Sequence, residues 1–366
     1  MSAASTRKPP ADAFNQQTLP DWSPKVGERE WIQIYYFLAS LMLVLGSILS
    51  AEYAQRREWS YVYDGENADF TQCQITSANE GRSCTITFSF NEDVSGPLYV
   101  YYGLTNFHQN NRRYTKSVMT DMLTGSTAID EDSADLYCYP LQYNGTRMIY
   151  PCGLQANTYF NDQFTLSALS TVSSTNLDKD GITFDAEDSK FTQVDGFLYA
   201  PYTAGQTCVD VLGSDMTEDD CGSYTDDSGT NYYYYYPNRD TYQYLYETFP
   251  QINPLKGVTD ESFIVWMRLS SFANFRKQIG KIDTDVNSGE VLLFDITNNF
   301  DVTSFSGSKS LIISTSPSTG THLKGLWITC FALGALFFMS GTSLMLKMNH
   351  RDQWSYMRDY LWPQYW

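Results

Sequence analysis

The stretch IQIYYFLASLMLVLGSILSA, Ile32 to Ala51, decides the class of fold to which this chain belongs. It contains no charged residue, and a helix of this length matches a hydrocarbon core about 30 Å thick. A second uncharged run, LWITCFALGALFFMSGTSLML, extends from Leu326 to Leu346. Trp31 and Trp327 lie at the starts of the two runs, where aromatic residues of the membrane interface are common. The two runs therefore predict two membrane-spanning helices.

A cleaved signal peptide is the alternative interpretation of the first run. The run begins after 31 residues, and no small-x-small cleavage site precedes the return of polar sequence. We therefore expect a retained anchor. Small residues recur at helical spacing in both runs, at Gly46 and Ser50 and again at Gly334 and Gly341. They indicate that the two helices pack against each other, against another membrane protein, or both.

Charge and cysteine predict the orientation of the chain in the membrane. Residues 1–31 and 347–366 together hold seven basic and six acidic residues, whereas residues 52–325 carry a net charge of −19. Relatively basic flanks are typical of the cytosolic side, and six of the seven cysteines fall in residues 52–325, as expected for a disulfide-bearing lumenal domain. We expect cytosolic tails at 1–31 and 347–366, spans at 32–51 and 326–346, and a lumenal or extracellular ectodomain at 52–325. The chain would then be an integral membrane protein of the secretory pathway, in the endoplasmic reticulum, Golgi, endosome or plasma membrane.

Composition and local pattern predict an ectodomain made mostly of β-strands. The chain has 28 Tyr and 21 Phe, residue types that favour strands, and its net charge of −18 argues against a nucleic-acid partner. Five apolar or alternating segments between turn residues read as strands. They are CTITFSF from Cys84, PLYVYYGL from Pro97, FIVWMRL from Phe263, VLLFDI from Val291 and SLIIST from Ser310. Without intervening amphipathic helices, this pattern predicts an antiparallel β-sandwich with an irregular disulfide-bearing lobe.

The six ectodomain cysteines permit 15 pairing schemes, which the sequence alone does not separate. Spacing favours neighbours, each closing a short loop worth about 3 kcal/mol. The pairs would be Cys73 with Cys84, Cys138 with Cys152, and Cys208 with Cys221. A zinc site is disfavoured because no CxxC pair occurs and the histidines are scattered. The sequon at Asn144 predicts a glycan on an exposed loop.

Two further segments invite a chemical interpretation. Asn176 to Glu187 matches the ligand spacing of an EF-hand calcium loop at several positions, but no amphipathic helix precedes it. A turn with Gly181 at positive φ is the preferred interpretation, and calcium binding is the alternative. The five tyrosines from Tyr232 to Tyr236 would, as a strand, place rings on both faces. The acidic tract from Asp210 to Asp227 reads as a solvated loop.

No enzyme signature is present in the sequence. It contains no GxSxG, HExxH, Walker, Gly-rich dinucleotide or DKTGT motif, and no cofactor site is predicted. Two uncharged spans are also too few to form a transport path for a polar solute. The residues alone leave an accessory membrane subunit, an independent receptor or adhesion protein, and an ectoenzyme as candidate classes.

A set of ordered motifs resembles one known family. The segment GPLYVYYGLTNFHQNNRRYTKS, from Gly96, closely resembles the signature of the accessory, or beta, subunits of type IV P-type ATPases, the phospholipid flippases. This family is named after cell-division-control and ligand-effect-modulator proteins. Three further segments resemble it in the expected order, and they are PCGLQANTYFND from Pro151, ESFIVWMRLSSFANFRKQIG from Glu261 and VTSFSGSKSLIIST from Val302. The resemblance extends over essentially the whole chain.

The resemblance implies a non-catalytic subunit that forms a heterodimer with a ten-span ATPase. The ATPase would supply the phosphorylated aspartate and the lipid path, and the accessory chain would be required for exit from the endoplasmic reticulum and for the transport cycle. It also implies a β-sandwich with a disulfide-linked lobe, in agreement with the strand pattern. An independent cell-surface receptor or adhesion protein remains the alternative.

The signature segments supply the candidate site residues, which are Asn106, Asn110, Arg112, Arg113, Trp266, Arg268, Phe275 and Arg276. Arg112 and Arg113 either satisfy carbonyl and carboxylate groups within the ectodomain or reach acidic loops of the ATPase. We favour internal partners for them, and equally for Arg268 and Arg276. Trp266 and Phe275 are expected to pack in the core instead of binding a ligand.

Overall fold

The computed structural model describes Asp12, Phe14 and residues 26–172, 176–213, 217–316 and 323–361, the last ten of these as backbone only. Most of the predicted N-terminal tail and the last five residues of the predicted C-terminal tail lie outside the described residues. Within these ranges the chain forms ten α-helices and thirteen strands. The helices are α1 (Glu28–Ala54), α2 (Arg112–Lys116), α3 (Thr120–Leu123), α4 (Glu131–Cys138), α5 (Leu154–Asn157), α6 (Asp185–Asp188), α7 (Cys208–Leu212), α8 (Leu245–Thr248), α9 (Glu261–Met267) and α10 (Leu323–Leu361). The strands are β1 (Glu58–Gly65), β2 (Arg82–Ser89), β3 (Leu98–Leu104), β4 (Tyr143–Asn144), β5 (Arg147–Tyr150), β6 (Gln163–Leu166), β7 (Leu198–Pro201), β8 (Cys221–Thr225), β9 (Asn231–Tyr235), β10 (Tyr242–Tyr244), β11 (Phe275–Ile282), β12 (Val291–Asn298) and β13 (Ser308–Ser314).

Helices α1 and α10 form one compact unit, and both are long and apolar enough to cross a membrane. Glycines allow the two helices to approach closely. A Cβ atom on Gly46 would lie 3.3 Å from Cys330 Cβ, and one on Gly334 would lie 3.0 Å from Leu43 Cγ. The glycines of the two runs therefore serve the contact between α1 and α10, which is one of the two roles expected for the small residues.

Polar contacts also join α1 and α10. The hydroxyl groups of Tyr36 and Thr342 lie 3.2 Å apart and share a hydrogen bond. Further toward the same end of the contact, where α1 begins, the Arg351 guanidinium donates two hydrogen bonds to the Glu28 carboxylate, at 3.0 and 2.7 Å. The pair is bidentate but exposed, so it orients the helix ends and adds little stability.

The second unit, residues 56–321, contains a β-sandwich. One sheet has the strand order β1-β13-β3-β11 and the other has the order β2-β12-β6, and all pairings in both sheets are antiparallel. Buried side chains of both sheets join one hydrophobic core. Strand β3 lies inside the first sheet and is buried along almost its whole length, which explains the continuous apolar run from Leu98 to Leu104. The predicted antiparallel sandwich is confirmed.

The disulfide-bearing lobe has a smaller core of its own. Its sheets have the orders β10-β5-β4 and β7-β9-β8, and Cys138 and Cys152 pair inside its hydrophobic cluster. Cys208 pairs with Cys221 next to strand β9, and Cys73 pairs with Cys84 in the sandwich. The pairing of neighbouring cysteines is therefore the one that spacing favoured.

Strand β9 carries four of the five consecutive tyrosines, and its rings point to both faces as predicted. Tyr236, which follows the strand, is buried in the core of the lobe and lies 6.1 Å from the Tyr234 ring. Tyr233, on the opposite face, stacks on Tyr202 at 3.9 Å. A Cβ atom on Gly222 would lie only 2.1 Å from the Tyr234 ring, so a glycine is needed where that ring crosses β8.

One strand prediction is wrong. The segment FIVWMRL is not a strand, because residues 261–267 form helix α9. Asp260 begins the helix, since its carboxylate accepts hydrogen bonds from the backbone N–H groups of Ser262 and Phe263 at 2.9 and 3.4 Å. A short apolar run that is buried on all sides shows the same sequence pattern whether it forms a helix or a strand. The strand of this region is β11, further along the same segment.

Candidate functional site

The loop after β3 is fixed by its asparagines. Asn106 has a φ of +59°, a conformation that asparagine tolerates well, and its N–H donates to Asn274 Oδ1 at 2.9 Å. Asn110 Nδ2 donates to the Ser271 carbonyl at 2.9 Å. The backbone N–H of Asn106 and the side-chain amide of Asn110 therefore attach the loop to the segment between α9 and β11. Their role in the described chain is to hold the loop in place.

Arg112 and Arg113 begin the short helix α2, which is capped by Asn111 Oδ1 accepting from the Arg113 N–H at 2.9 Å. Both side chains are exposed. Among the residues that the structure describes, neither guanidinium has a hydrogen-bond or ion-pair partner. The internal partners favoured from the sequence are therefore not found for these two residues. The physical reason is that α2 starts on the surface and directs its first side chains outward.

Two arginines further along the chain do have internal partners. The Arg268 guanidinium pairs with the Glu187 carboxylate, with Nε donating to Oε1 at 2.9 Å, and lies over the Phe184 ring at 5.3 Å. Arg276 pairs with Glu58 at 2.7 Å and lies over the Tyr101 ring at 4.5 Å. Both contacts agree with the internal partners that we expected for Arg268 and Arg276.

Lys277 is a buried lysine that forms no ion pair with a carboxylate of the described residues, and burial lowers its pKa well below the ordinary value. Its Nζ donates to the carbonyls of Val265 and Trp266 at 2.9 and 2.8 Å, and also to that of Arg268. These are carbonyls near the end of α9, where unpaired backbone acceptors and the helix dipole favour a cation. The lysine thus links the end of α9 to strand β11.

Trp266 and Phe275 belong to the hydrophobic core. Trp266 is fully buried and its indole Nε1 donates to the Gln155 carbonyl at 2.8 Å. The Phe275 ring lies 6.5 Å from that of Trp266. Both residues pack as expected.

Sequence reasoning missed a buried ion network centred on Lys309. The lysine is 0% exposed, and its Nζ lies 3.1 Å from Asp64 Oδ2 and 3.0 Å from Asp162 Oδ2. It also donates to Asn298 Oδ1 and to the Phe300 carbonyl. One cation therefore joins the first sheet, through β1 and β13, to the end of β12 and to the loop that precedes β6.

The two carboxylates of this network are fully engaged by donors. Asp162 accepts from the Tyr63 hydroxyl at 2.6 Å, and Asn298 Nδ2 donates to Asp64 Oδ2 at 2.9 Å and to the Cys73 carbonyl at 2.7 Å. Burial, and then the nearby Asp162 charge, raise the pKa of Tyr63 well above its ordinary value. The polar groups of this network therefore satisfy one another inside the protein.

The sequence contained one sign of this network. Lys309 interrupts strand β13, whose residues are otherwise apolar or small, and Asp162 ends the segment PCGLQANTYFND. A lysine in a strand that is buried on both faces requires acceptors for its ammonium group, and an anion is one such partner. The identity of the partners could not be read, because they lie more than a hundred positions away in the chain.

The EF-hand-like segment does not bring its carboxylates together. Asp180 pairs with Lys256 at 2.7 Å, and Glu187 pairs with Arg268. Gly181 has a φ of +73°, as the turn interpretation requires. Among the described residues, no group of three or more potential metal ligands is found.

Asn144 is the exposed last residue of β4, directly before the turn that leads to β5. Gly145, with a φ of +64°, follows it. The Asn144 side-chain amide donates to Gln243 Oε1 at 2.7 Å. Its glycosylation stays a prediction.

These features define an integral membrane protein that has two long apolar helices and a β-sandwich ectodomain with three disulfides. Residues 33–353 match the LEM3 (ligand-effect modulator 3) family, also called the CDC50 family. The chain belongs to this family.

Several curated relatives cover nearly the whole chain. Cell cycle control protein 50A of Mus musculus is 28% identical over 363 residues, which span 95% of this chain and 91% of the relative. Phospholipid-transporting ATPase accessory subunit CRF1 of Saccharomyces cerevisiae is 25% identical over 388 residues, with coverages of 98% and 90%. Putative ALA-interacting subunit 2 of Arabidopsis thaliana is 27% identical over 339 residues, with coverages of 91% and 86%.

Proposed function

We propose that this chain is the non-catalytic accessory subunit of a phospholipid-transporting type IV P-type ATPase. The observation that supports the proposal most directly is the match of almost the whole chain to a family with a relative named as an accessory subunit of such an ATPase. The ATPase would carry the catalytic aspartate and the lipid path. The accessory chain would support folding of the complex, its exit from the endoplasmic reticulum and its transport cycle.

The proposed topology places both termini in the cytosol and residues 52–325 in the lumen or outside the cell. The excess of acidic residues and the three disulfides in this region support that placement. The exposed sequon at Asn144 is the proposed glycan site. A glycan removed by endoglycosidase, and lost in Asn144→Gln, would test both the site and the lumenal location.

Arg112 and Arg113 are the residues that we propose for contact with the partner. They are exposed and, within the described chain, free of internal partners, in an ectodomain of strongly negative charge. Exposed His108 and Lys116 flank them. Such a positive surface suits acidic lumenal loops of the ATPase, because complementary charge steers and orients association.

Co-purification tests the proposed function. Mild-detergent extraction of the tagged chain from native membranes, followed by mass spectrometry, is expected to recover a P-type ATPase. Recovery of the chain without any such ATPase, together with its arrival at the cell surface when no ATPase is co-expressed, would instead support the receptor or adhesion function.

A pair of double variants tests the proposed contact. Arg112→Gln with Arg113→Gln removes both charges and is expected to lower recovery of the ATPase several-fold. Arg112→Lys with Arg113→Lys keeps the charges and is expected to restore most of the recovery. Equal recovery by wild type and both double variants would show that the charges do not contribute to assembly.

A further inference from the structure

A polar cleft of about 840 Å³ opens beside strand β6, on the side of the sandwich that faces the lobe. This volume lies within the range of about 300–1,000 Å³ that is typical of ligand-binding clefts. All four residues of β6 line the cleft, together with residues of β11, of the loop before α9 and of the first turn of α9. Strand β6 is an edge strand of its sheet, because it pairs only with β12 in the described chain.

The outer edge of β6 presents unused backbone groups to the cleft. The Ser167 N–H donates to the Leu293 carbonyl at 2.8 Å, which sets the alternation of hydrogen bonds between β6 and β12. Gln163 and Thr165 therefore direct their backbone groups toward β12, whereas Phe164 and Leu166 direct theirs away from it. Within the described residues, the backbone groups of Phe164 and Leu166 have no hydrogen-bond partner.

The edge of the other sheet beside this cleft is covered by the chain itself. Asp178 and Lys281 exchange two backbone hydrogen bonds, of 2.9 and 2.8 Å, so the chain itself covers that edge of β11. Proteins commonly protect open edges with such cover, with proline or with charged side chains. Strand β6, with the sequence QFTL, has none of these protections.

The charge of the cleft indicates which chemistry would bind there. Six acidic residues and two lysines line it. Three of the six carboxylates are already paired, Asp180 with Lys256, Asp162 with Lys309 and Asp178 with Lys281. Asp227 at the rim is exposed and has no ion pair among the described residues. A cationic ligand would therefore be favoured, and a second copy of this acidic cleft would be repelled.

We propose that the outer edge of β6 binds an extended peptide segment bearing Lys or Arg side chains, by addition of a strand to the sheet. The four residues of β6 span about 13 Å, so roughly four residues of the ligand would pair with them. The backbone groups of Phe164 and Leu166 supply the hydrogen bonds, and the acidic rim selects the cationic side chains. The assay needs no ATPase, so its outcome is independent of the proposed accessory function.

The test uses the full-length protein in detergent micelles and a fluorescein-labelled peptide, acetyl-Lys-Val-Lys-Val-Lys-Val-amide, followed by fluorescence anisotropy. Three related peptides are the controls. One is the analogue with Glu in place of Lys, and the other two are isomers methylated on the backbone nitrogen of either all lysines or all valines. The unmodified cationic peptide is expected to bind. The isomer that blocks the pairing edge and the acidic analogue are each expected to bind at least about tenfold more weakly, since several hydrogen bonds worth about 1 kcal/mol each, or the charge attraction, are lost. The other isomer retains binding.

Protein variants locate the binding at β6. Leu166→Pro removes an outward N–H that β12 does not use, and it is expected to weaken binding of the peptide. Leu169→Pro is the matched control, because Leu169 is 78% exposed and lies outside the cleft. Asp227→Asn is expected to weaken binding of the cationic peptide a few-fold.

Three results would overturn the proposal. They are no binding of the cationic peptide at millimolar concentration, equal binding of both N-methylated isomers and the parent peptide, and unchanged binding by a Leu166→Pro protein whose melting temperature is unaltered. If Leu166→Pro fails to fold, the comparison of the two N-methylated isomers on wild-type protein decides the question.

Discussion

At the residue scale, Lys309 illustrates how a buried charge is retained. Its burial costs solvation free energy, which the carboxylates of Asp64 and Asp162 offset together with the other hydrogen-bond acceptors around its Nζ. Lys309→Met leaves both carboxylates buried without a cation. We expect it to lower the free energy of unfolding by about 3–5 kcal/mol, the usual cost of breaking a buried pair. Chemical denaturation of the detergent-solubilised protein would measure the change.

Lys281→Met is the matched control for that substitution. Lys281 forms ion pairs with Asp178 and Asp283, but these pairs are open to solvent. Exposed pairs contribute little, so this variant should unfold at nearly the wild-type denaturant concentration. If the two variants were destabilised equally, burial of the charge would not be the cause of the loss at Lys309.

Buried tyrosines make stability depend on alkaline pH. Burial raises the pKa of Tyr114 from 10.0 to about 12, and it raises the pKa of Tyr159 further. Above pH 10 the unfolded chain releases protons that these folded groups retain, so this contribution to stability is complete below pH 10 and declines as the pH rises above it. We expect the melting temperature to fall between pH 10 and 12, with tyrosinate absorbance appearing together with unfolding.

Tyr114→Phe tests the contribution of a single ring in that pH range. The variant keeps the ring in the core but has no group to titrate, and it loses the hydrogen bond with Thr158 at 3.0 Å. The variant is expected to be somewhat less stable at neutral pH and to lose less stability between pH 10 and 12. If stability declined with pH as steeply in the variant as in the wild type, Tyr114 would not be a group that releases its proton on unfolding.

What the sequence reveals about single residues depends on how local their interactions are. The cysteine pairs were predictable because each closes a loop of 11 to 14 residues. Gly181 at a turn was predictable for the same reason. The outward direction of Arg112 was not, because it depends on where α2 begins on the folded surface. Nor were the partners of Lys309, since only the folded sheets bring them together.

At the element scale, helix α9 shows how one cap overrides an ambiguous apolar run. Asp260 accepts two backbone hydrogen bonds at the start of the helix. We expect Asp260→Ala to lower the free energy of unfolding by about 1 kcal/mol, the typical cost of losing an N-cap. Denaturant unfolding of the two proteins would show the difference.

Asp260→Asn is the control for the cap, because an asparagine side chain still offers an oxygen to Ser262 and Phe263. Burial raises the pKa of the Asp260 carboxyl, so a neutral amide also suits this environment. The Asn variant is therefore expected to be close to wild type. A loss as large as that of the Ala variant would mean that the charge, and not the cap, stabilises α9.

The success of the other strand predictions also has an element-scale cause. Strands β2 and β12 alternate in burial because each has one face in the core, and that alternation is visible in the sequence. Strand β3 was visible as a continuous apolar run. Strand β11 was not, since Lys277 and Gln278 interrupt its apolar residues, and the lysine is buried only because α9 supplies its acceptors.

At the scale of the whole molecule, the sequence predicted the layers and a disulfide-bearing lobe, but not how the strands of that lobe pair. Two long uncharged runs and antiparallel strands follow from composition and period. The lobe has a hydrophobic cluster of its own, built from segments as distant as Met119 and Tyr244. Its sheet pairs β10 with β5 in parallel, although the two strands lie about ninety positions apart. Local pattern carries no information on such pairing.

The Cys138–Cys152 disulfide stabilises the hydrophobic cluster of this lobe. It lies inside the core of the lobe, where it joins the end of α4 to the segment that leads into α5. Its removal is expected to cost about 2–5 kcal/mol and to leave the lobe open. Cys138→Ser should therefore be retained in the endoplasmic reticulum, with any glycan in its unprocessed form, whereas Cys330→Ser, which removes the free cysteine of α10, should leave as wild type does. Endoglycosidase sensitivity and surface labelling would distinguish the two, and normal export of Cys138→Ser would show that the lobe folds without this disulfide.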